Sequence, residues 1–269
     1  MRSVLLTRPQ PCSNQLQTQL ERANVRVLHL PTLQLSTMQN PEIEAHVVQH
    51  WHDYTGVVFV SQHAAQFAFE HMQRLGLSFA RDTWLGTVGQ GTRDTLRNLW
   101  PEHTAFISPN VQDSQDSEGL WRAIEANSAN AAQRILIIRA QTGRDALLHL
   151  AQGAQIACDV WPCYTRTALV WSAKQSEQFQ QFNANRGLIV ITSIEGLNGL
   201  LAQFPPNHPL HHPPHPLRQH TLITIHPRIA QFAQTLGFDD VRLCSVADLD
   251  TQIPIWANAD SIASPSAQG

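Results

Sequence analysis

Short apolar runs rich in Val, Ile and Leu recur along the chain, and each is followed by a polar turn and an amphipathic stretch. Such runs predict buried parallel strands and the stretches between them predict helices, so the pattern favours an α/β fold. The predicted strands are residues 3–7, 25–30, 56–60, 84–88, 104–107, 134–138, 156–160, 187–191, 221–225 and 240–244. The predicted helices are residues 12–23, 41–51, 63–75, 91–99, 117–127, 144–152, 174–183, 194–203 and 227–236.

Several of the predicted strand–helix units resemble one another, because each strand ends in Ser, Thr, Arg or Gly just before a helix begins. These units are VLLTRPQP, VVFVSQHAA, LGTVGQGTR, LIIRAQTGR, VITSIEGLN and LITIHPRIA. Open α/β sheets bind ligands at the carboxyl ends of their strands, beside helix N-termini. The repeated pattern therefore predicts two facing ligand-binding edges, although Ser and Thr at such positions also serve as simple helix caps.

Two segments interrupt the alternation of strands and helices. Residues 31–40 and 161–172 lie where a helix is expected, yet both have the alternating polar pattern of extended chain. We expect them to pair with each other as a two-stranded hinge between two domains. Residues 37–168 would then be an inserted α/β domain, while residues 1–34 and 171–257 together form a discontinuous one.

Residues 205–220 contain six Pro and five His, which predicts an exposed loop or an extended linker. The His content invites a metal-site hypothesis, but no helix fixes the ligand geometry there and the loop contains no acidic residue. The HExxH motif is absent around His46, because Val47 follows it, and we predict no functional metal site. Residues 258–269 have the composition of a disordered tail.

Composition argues against several classes of function. Lys and Arg number 18 against 21 Asp and Glu, a formal charge of −3, so a nucleic-acid or membrane-surface binder is disfavoured. No apolar run approaches the ~20 residues that a membrane span needs. Lys174 is the single lysine, and no P-loop motif surrounds it, which disfavours Schiff-base and P-loop chemistry. The four Cys form neither a CxxC pair nor a dense pattern, which favours reduced thiols in a cytoplasmic protein.

A glycine-containing turn is the first candidate for binding chemistry. Gly89 and Gly91 lie between a strand and a helix that Thr92 enters. Backbone N–H groups at such a turn can bind an anionic oxygen, although a tight turn alone also requires small residues. The spacing is not the dinucleotide pattern GxGxxG, so a nucleotide cofactor is disfavoured.

Two arginines and a tyrosine are further candidates. Arg139 ends a predicted strand and can bind a carboxylate in a forked geometry. Arg144 opens the following predicted helix against the helix dipole, which indicates a bound anion unless Asp145 offsets the cost. Tyr164 lies in the second extended segment, where its phenol can donate a proton or simply pack the hinge.

Eight motifs follow one another in order along residues 3–245. They are VLLTRP, VFVSQHAAQFAF, VGQGTRDTL, DSEGLW, ILIIRAQTGRDALLHL, CYTR, VITSIEGLNGLL and ITIHPRIAQFAQTLGFDDVRL. No single motif is highly specific, but the ordered set resembles the uroporphyrinogen-III synthase family. The resemblance implies two flavodoxin-like parallel-sheet domains joined by a two-stranded β-ladder hinge, with the active site in the cleft between them.

The resemblance also implies an activity. A lyase of this family cyclises hydroxymethylbilane, a linear tetrapyrrole with acetate and propionate arms, to uroporphyrinogen III in heme biosynthesis, inverting ring D and losing water. No metal or organic cofactor is implied, and the expected protein is a cytoplasmic monomer with a transient contact to the preceding pathway enzyme. The alternative is a non-catalytic tetrapyrrole-binding sensor on the same scaffold. A nucleotide-sugar transferase is disfavoured, because it would want an acidic metal-binding pair or a clear phosphate site.

Residue roles carry over by position. Tyr164 matches the family's Tyr and is expected to assist departure of the substrate hydroxyl. The expected substrate-binding residues are Arg8, Ser61, Gly89, Thr92, Arg139, Gly143, Arg144, Ser193, His226, Pro227 and Arg228. His226 departs from the family pattern, in which Ser or Thr more often precedes the Pro, so its hydrogen-bonding role stays open. The segment around Pro254 fits the family's last helix poorly.

Overall fold

A computed structural model describes residues 2–9, 14–110, 112–127, 133–204 and 216–259 of the chain. The chain divides into two compact units, Met1–Gln34 with Thr167–Gly269 (unit 1) and Leu35–Arg166 (unit 2). Most of the Pro- and His-rich segment, residues 205–215, and the last ten residues, 260–269, lie outside the described residues. Within the described ranges, no helix combines the length and apolar character needed to cross a membrane.

Strands and helices alternate along most of the chain. Through residue 107 they are β1 (Val4–Leu6), α1 (Asn14–Arg22), β2 (Val27–His29), β3 (Leu33–Thr37), α2 (Pro41–Gln49), β4 (Gly56–Phe59), α3 (Gln62–Leu75), β5 (Trp84–Thr87), α4 (Gln90–Leu99) and β6 (Phe106–Ile107). Then follow α5 (Ser117–Ala126), β7 (Arg134–Ala140), α6 (Ala146–Gly153), β8 (Ala157–Ala168), α7 (Ala173–Asn183), β9 (Leu188–Ile191), α8 (Ile194–Leu201), β10 (Thr221–Thr224), α9 (Pro227–Thr235), β11 (Val241–Leu243) and α10 (Leu249–Ala259). The predicted α/β class is confirmed.

The sheet of unit 1 has the strand order β11-β10-β9-β1-β2, and its pairings are parallel. Numbered along the unit, this is the flavodoxin-like order 2-1-3-4-5. Helices α1 and α10 cover one face of the sheet, and α7, α8 and α9 cover the other. The strands β1, β9 and β10 are buried along their whole length, which explains why they are apolar without alternation.

The sheet of unit 2 has the strand order β3-β8-β7-β4-β5-β6, in which β4 to β8 are parallel. Numbered along the unit, these five strands have the doubly wound order 3-2-1-4-5, which differs from the order in unit 1. Helices α2, α3 and α4 cover one face of this sheet, and α5 and α6 cover the other. Both units are therefore three-layer α/β structures with a core on each side of the sheet.

The two segments predicted to be extended form β3 and β8, which are neighbours in the sheet. The Met38 N–H donates to the Cys163 carbonyl at 2.9 Å, and the Leu169 N–H donates to the Thr32 carbonyl at 3.0 Å. Because one residue number falls as its partner rises, this pair is antiparallel. The strand predicted at residues 156–160 is continuous with the second segment in β8. The hinge role of the pair stays a prediction.

The expectation that the segment around Pro254 resists helix formation is wrong. Helix α10 runs through Pro254 and includes Asn258 and Ala259, which the composition assigned to the tail. Its residues Leu249, Ile253 and Ala257 recur every four positions and are all buried. Burying Leu and Ile contributes roughly 1.5–3 kcal/mol each, which offsets the roughly 3 kcal/mol that an interior Pro costs a helix.

His220 is a fully buried histidine next to the start of β10. Its Nδ1 accepts a hydrogen bond from the Gly187 N–H at 2.8 Å, and its Nε2 lies 2.9 Å from Asn183 Oδ1. Because a nitrogen that accepts from a backbone N–H carries no proton, the buried ring is neutral. Burial, reinforced by the nearby charge of Arg186, lowers the pKa of His220 to about 4, although the hydrogen bond to Gly187 acts in the opposite direction.

We expect the stability of the protein to fall as the pH falls from 6.5 to about 4, because across this window the unfolded chain binds a proton at His220 that the folded chain does not. The contribution of one such proton is roughly 1.4 kcal/mol per pH unit. Urea unfolding at neutral pH and at about pH 5 measures the loss for the wild type and for His220→Gln, whose amide oxygen can still accept from Gly187. The variant should lose less stability, and equal losses would refute the assignment.

Candidate active site

Each sheet has a switch point, where the helices that follow two adjacent strands pack on opposite faces. In unit 1 the switch point lies between β1 and β9, and in unit 2 it lies between β4 and β7. Open α/β sheets bind ligands outside the carboxyl ends of the strands at such points. Four predicted site residues lie there, which are Arg8 and Ser193 in unit 1 and Ser61 and Arg139 in unit 2.

Tyr164 and Ser61 come together at the carboxyl end of β4. The Tyr164 hydroxyl lies 3.2 Å from Ser61 Oγ, and either oxygen can be the donor. Ser61 is the N-cap of α3, where its Oγ accepts a hydrogen bond from the Ala64 N–H at 3.1 Å. Tyr164 is 3% exposed and Ser61 is half-buried, so the phenol lies behind the serine at the start of α3.

A β-bulge in β8 aims Tyr164 towards α3. Arg139 of β7 is paired with Pro162, but the next residue, Ala140, is paired with Tyr164, which leaves Cys163 as an extra residue. Side chains alternate between the faces of a strand, so an extra residue turns the following side chain to the other face. Trp161, Cys163 and Tyr164 accordingly belong to one core cluster, on the face that α3 covers.

The start of α4 supplies backbone N–H groups without a competing side chain. Among the described residues, Ser61, Asp116, Ser193 and His226 cap their helices, whereas Gly89, the N-cap of α4, has no side chain to do so. A Cβ built on Gly89 would meet nothing within 4 Å, so the space beside it is open. Thr92 is buried in the first turn. This arrangement can bind an anionic oxygen.

Arg139 is engaged within its own loop. Its Nη1 donates to Asp145 Oδ1 at 2.6 Å and to the Arg144 carbonyl at 3.0 Å, and its side chain is 14% exposed. Its guanidinium therefore orders residues 141–145 and is less available to a ligand carboxylate than its place at the strand end indicates. The same loop contains Gly143, whose carbonyl lies 3.5 Å from Arg139 Nη2.

Arg144 does not open helix α6, contrary to the sequence-based boundary. The helix begins at Ala146 with Asp145 as its N-cap residue, and the side chain of Asp145 bonds to Arg139 and does not cap the helix. Arg144 lies before the helix with its side chain 46% exposed, 3.9 Å from Glu118 Oε1. Of the two arginines, Arg144 is thus the one more accessible to an anion.

The carboxyl edge of unit 1 is built from hydroxyls, N–H groups and one imidazole. Ser193 Oγ accepts from the Gly196 N–H at 2.9 Å and caps α8. His226 Nδ1 accepts from the Arg228 N–H at 3.1 Å and caps α9, in which Pro227 lies in the first turn. An imidazole therefore serves as the helix cap where the family more often has a hydroxyl. The Arg8 carbonyl lies 2.7 Å from the ring of His29.

Comparison with known proteins follows from this geometry. The sequence model of the family described as uroporphyrinogen-III synthase HemD matches residues 14–253. The chain belongs to the uroporphyrinogen-III synthase family. It is accordingly an enzyme, a cyclising lyase of porphyrin biosynthesis.

Relatives cover nearly the whole chain. The uroporphyrinogen-III synthase of Escherichia coli (strain K12) is 26% identical over 252 residues, 92% of this chain and 97% of that protein. The Salmonella typhimurium enzyme of the same name is 26% identical over 251 residues, with the same coverage. Solved structures of the synthases from Thermus thermophilus (a mutant; TM-score 0.61, 10% identity, 97% and 100% coverage) and Helicobacter pylori 26695 (0.56, 13%, 95% and 99%) share the fold.

Among the described residues, no group of three or more His, Cys, Asp or Glu side chains is arranged to hold a metal ion. Asp116, in the DSEGLW motif of the family, caps α5 through the Gly119 N–H at 2.8 Å. Burial tends to raise the pKa of Asp116, but its hydrogen bonds from Ser114 and Gly119, together with the charge of Arg144, hold that pKa below its ordinary value. Asp116 is thereby kept charged as a helix cap.

Two side chains that surround Tyr164 were missed by reasoning from the sequence. Phe67 stacks on Tyr164 with ring centroids 5.0 Å apart and an interplanar angle of 10°, and the ring of His63 lies 6.3 Å away. Both belong to α3 at positions four residues apart. That spacing is visible in the sequence, but it predicts ordinary packing equally well.

The cap formed by His226 yields a stability test. His226→Ala should lower the free energy of unfolding by about 1 kcal/mol, the usual cost of losing an N-cap acceptor. His226→Ser restores the hydroxyl common at this family position and should retain the wild-type stability. Chemical denaturation measures both. If the Ala and Ser variants are equally stable, His226 does not act as a cap.

Proposed function

We propose that this enzyme closes hydroxymethylbilane to uroporphyrinogen III with Tyr164 and Ser61 as the pair that acts on the leaving hydroxyl. The observation that carries the proposal is the 3.2 Å contact between the two hydroxyls at the N-terminus of α3. It supplies an O–H donor at a strand end where ligands of α/β sheets bind. Family membership supports the substrate, because the related proteins are named for this reaction product.

In the proposed first step, the terminal hydroxymethyl C–O bond breaks as the pyrrole nitrogen donates electrons, which gives an azafulvene cation. The Tyr164 phenol donates to Ser61 Oγ, and the Ser61 hydroxyl donates to the departing oxygen, which leaves as water. The cation is then attacked by the substituted carbon of ring D to form a spiro intermediate. Fragmentation and reclosure invert ring D, and the final proton loss restores the hydroxyl pair.

Positioning contributes more to this reaction than acid strength does. The linear substrate also cyclises unaided, but without inversion, so the enzyme has to select the carbon that attacks. A site made of hydroxyls and backbone N–H groups suits that task, because such groups orient the pyrrole arms without drawing a strong base into the chemistry.

The carboxylate arms of the substrate are proposed to bind at helix N-termini. The open start of α4, with Gly89 and Thr92, is the strongest candidate, since no side chain caps it. The start of α8 at Ser193 would bind a further arm. Positive charge would come from Arg8, Arg144 and Arg228, while Arg139 and Gly143 shape the loop that presents Arg144. We further propose that the enzyme works as a monomer and receives its substrate by transient contact with the preceding enzyme.

The direct test is incubation with enzymatically generated hydroxymethylbilane, followed by oxidation and separation of the product isomers. The proposal predicts isomer III in excess over isomer I, with the ratio rising as enzyme is added. Isomer I alone at high enzyme concentration, or tight binding without turnover, would reject it.

Tyr164→Phe and Ser61→Ala should each lower kcat more than they raise KM, because both act on the leaving group in the transition state. If the two hydroxyls act as a unit, the double variant should lose little more than either single one. Thr55→Val is the matched control: it removes a hydroxyl that bonds to the Arg134 carbonyl at the other end of β4. Steady-state kinetics should show near-normal kcat for Thr55→Val, and an unchanged kcat for Tyr164→Phe would assign the phenol to packing.

Gly89→Asp should raise KM by at least about tenfold, because a carboxylate at the N-cap of α4 competes with and repels a substrate carboxylate. The position accepts the side chain, since its backbone is extended and a Cβ there has open space. Asp is a good N-cap, so thermal stability should not fall. Gly89→Ala adds a Cβ without charge and serves as the control. Equal KM values for the Asp and Ala variants would remove α4 from the substrate site.

A further inference from the structure

The carbonyl of Cys163, the extra residue of the β8 bulge, accepts hydrogen bonds from two elements outside β7. The Met38 N–H donates to it at 2.9 Å, and His71 Nε2 lies 3.0 Å from it. On the other side of the bulge the Gln141 N–H donates to the Tyr164 carbonyl at 2.8 Å. These bonds fix the peptide that connects Cys163 to Tyr164, and the direction of the Tyr164 side chain depends on that peptide.

His71 is a buried side chain of α3, 2% exposed, which the proposed chemistry does not use. Because a carbonyl oxygen can only accept, Nε2 of His71 carries the proton of the bond to Cys163. The same Nε2 lies 3.2 Å from Thr37 Oγ1 in β3. His71 thus connects helix α3, which begins at Ser61, to the strand that contains Tyr164.

The orientation of the His71 ring is fixed from its far side. Nδ1 lies 3.1 Å from Glu44 Oε1, and Glu44 is itself 6% exposed. Arg74 donates to the same Glu44 oxygen at 2.6 Å and lies 3.0 Å from Nδ1. A buried carboxylate beside an imidazole resembles the pairs in which a carboxylate orients a catalytic or metal-binding histidine.

Packing alone does not explain this cluster. Apolar side chains of similar volume would fill the space between α2, α3 and β8 without the desolvation cost of a buried ionic group. What apolar side chains cannot supply is a directional bond to one carbonyl. The directional bond of His71 ends on the bulge residue, and bulges next to active sites re-aim side chains.

We propose that His71 is a positioning residue that holds the β8 bulge and thereby aims the Tyr164 hydroxyl at Ser61. The inference rests on the proposed role of Tyr164 in the reaction, but its geometric content is independent of that role. It predicts that loss of the donor on His71 changes the surroundings of Tyr164 while the fold of unit 2 is kept.

The chain has two tyrosines, Tyr54 and Tyr164, so the enzyme labelled with 3-fluorotyrosine should give two ¹⁹F signals. Tyr54 donates to Asp159 at 2.9 Å and provides the internal control. His71→Met, which cannot donate, should shift or split the Tyr164 signal and leave the Tyr54 signal in place. His71→Gln, whose amide can donate to the same carbonyl, should retain the wild-type position. An unchanged Tyr164 signal in His71→Met would overturn the proposal.

A second variant keeps the test decisive if His71→Met does not fold. Glu44→Gln/His71→Met also removes the buried carboxylate, and its two signals are interpreted in the same way. Folding of either variant is shown by a Tyr54 signal at the wild-type position. A Tyr164 signal at its wild-type position in the folded double variant would again overturn the proposal.

Turnover separates this inference from the proposed function. His71→Met should lower kcat by about ten- to a hundredfold, as a displacement of about 1 Å does, with a smaller change in KM and a larger share of isomer I. In the Tyr164→Phe background the same substitution should cost little, since its effect passes through the phenol. Wild-type kcat in His71→Met would overturn the positioning role alone. A wild type that forms only isomer I would reject the proposed function, while the ¹⁹F result still decides the role of His71.

Discussion

Tyr164 reaches Ser61 because β8 contains one residue more than its register with β7 requires. Without Cys163 the alternation of the strand would turn the phenol to the face covered by α5 and α6. The extra residue costs a regular ladder position, and its carbonyl is held instead by Met38 and His71. The arrangement of the candidate site in unit 2 therefore depends on one irregularity in an otherwise regular sheet.

The remainder of the site uses the polarity of helix ends. The helices α3, α8 and α9 begin with Ser61, Ser193 and His226, whose side chains satisfy first-turn N–H groups. Helix α4 begins at Gly89 without such a cap, and so it is the helix best prepared to accept an external anion. The near-neutral total charge agrees with this view, because several arginines are paired internally, as Arg139 is with Asp145. Attraction of an acidic substrate then has to be local.

Periodicity was sufficient to predict the regular elements, because buried parallel strands and amphipathic helices leave a direct record in the sequence. It failed where a long-range contact decides the outcome. Pro254 is tolerated inside α10 because the buried residues Leu249 and Ile253 outweigh its cost, and burial cannot be computed from a local window. Arg139 occupies a strand end as predicted, yet its partner Asp145 takes up the guanidinium. The bulge at Cys163 has no local signal at all, since it is defined only by the register with β7.

A crystal structure of the enzyme with uroporphyrinogen III bound tests the central claim most directly. The account predicts a product carboxylate within hydrogen-bond distance of the N–H groups at the start of α4. It also predicts the Ser61 hydroxyl, backed by Tyr164, next to the methylene bridge formed at ring D. Product bound at the opposite, amino-terminal ends of the strands, or with ring D remote from Ser61 and Tyr164, would contradict it.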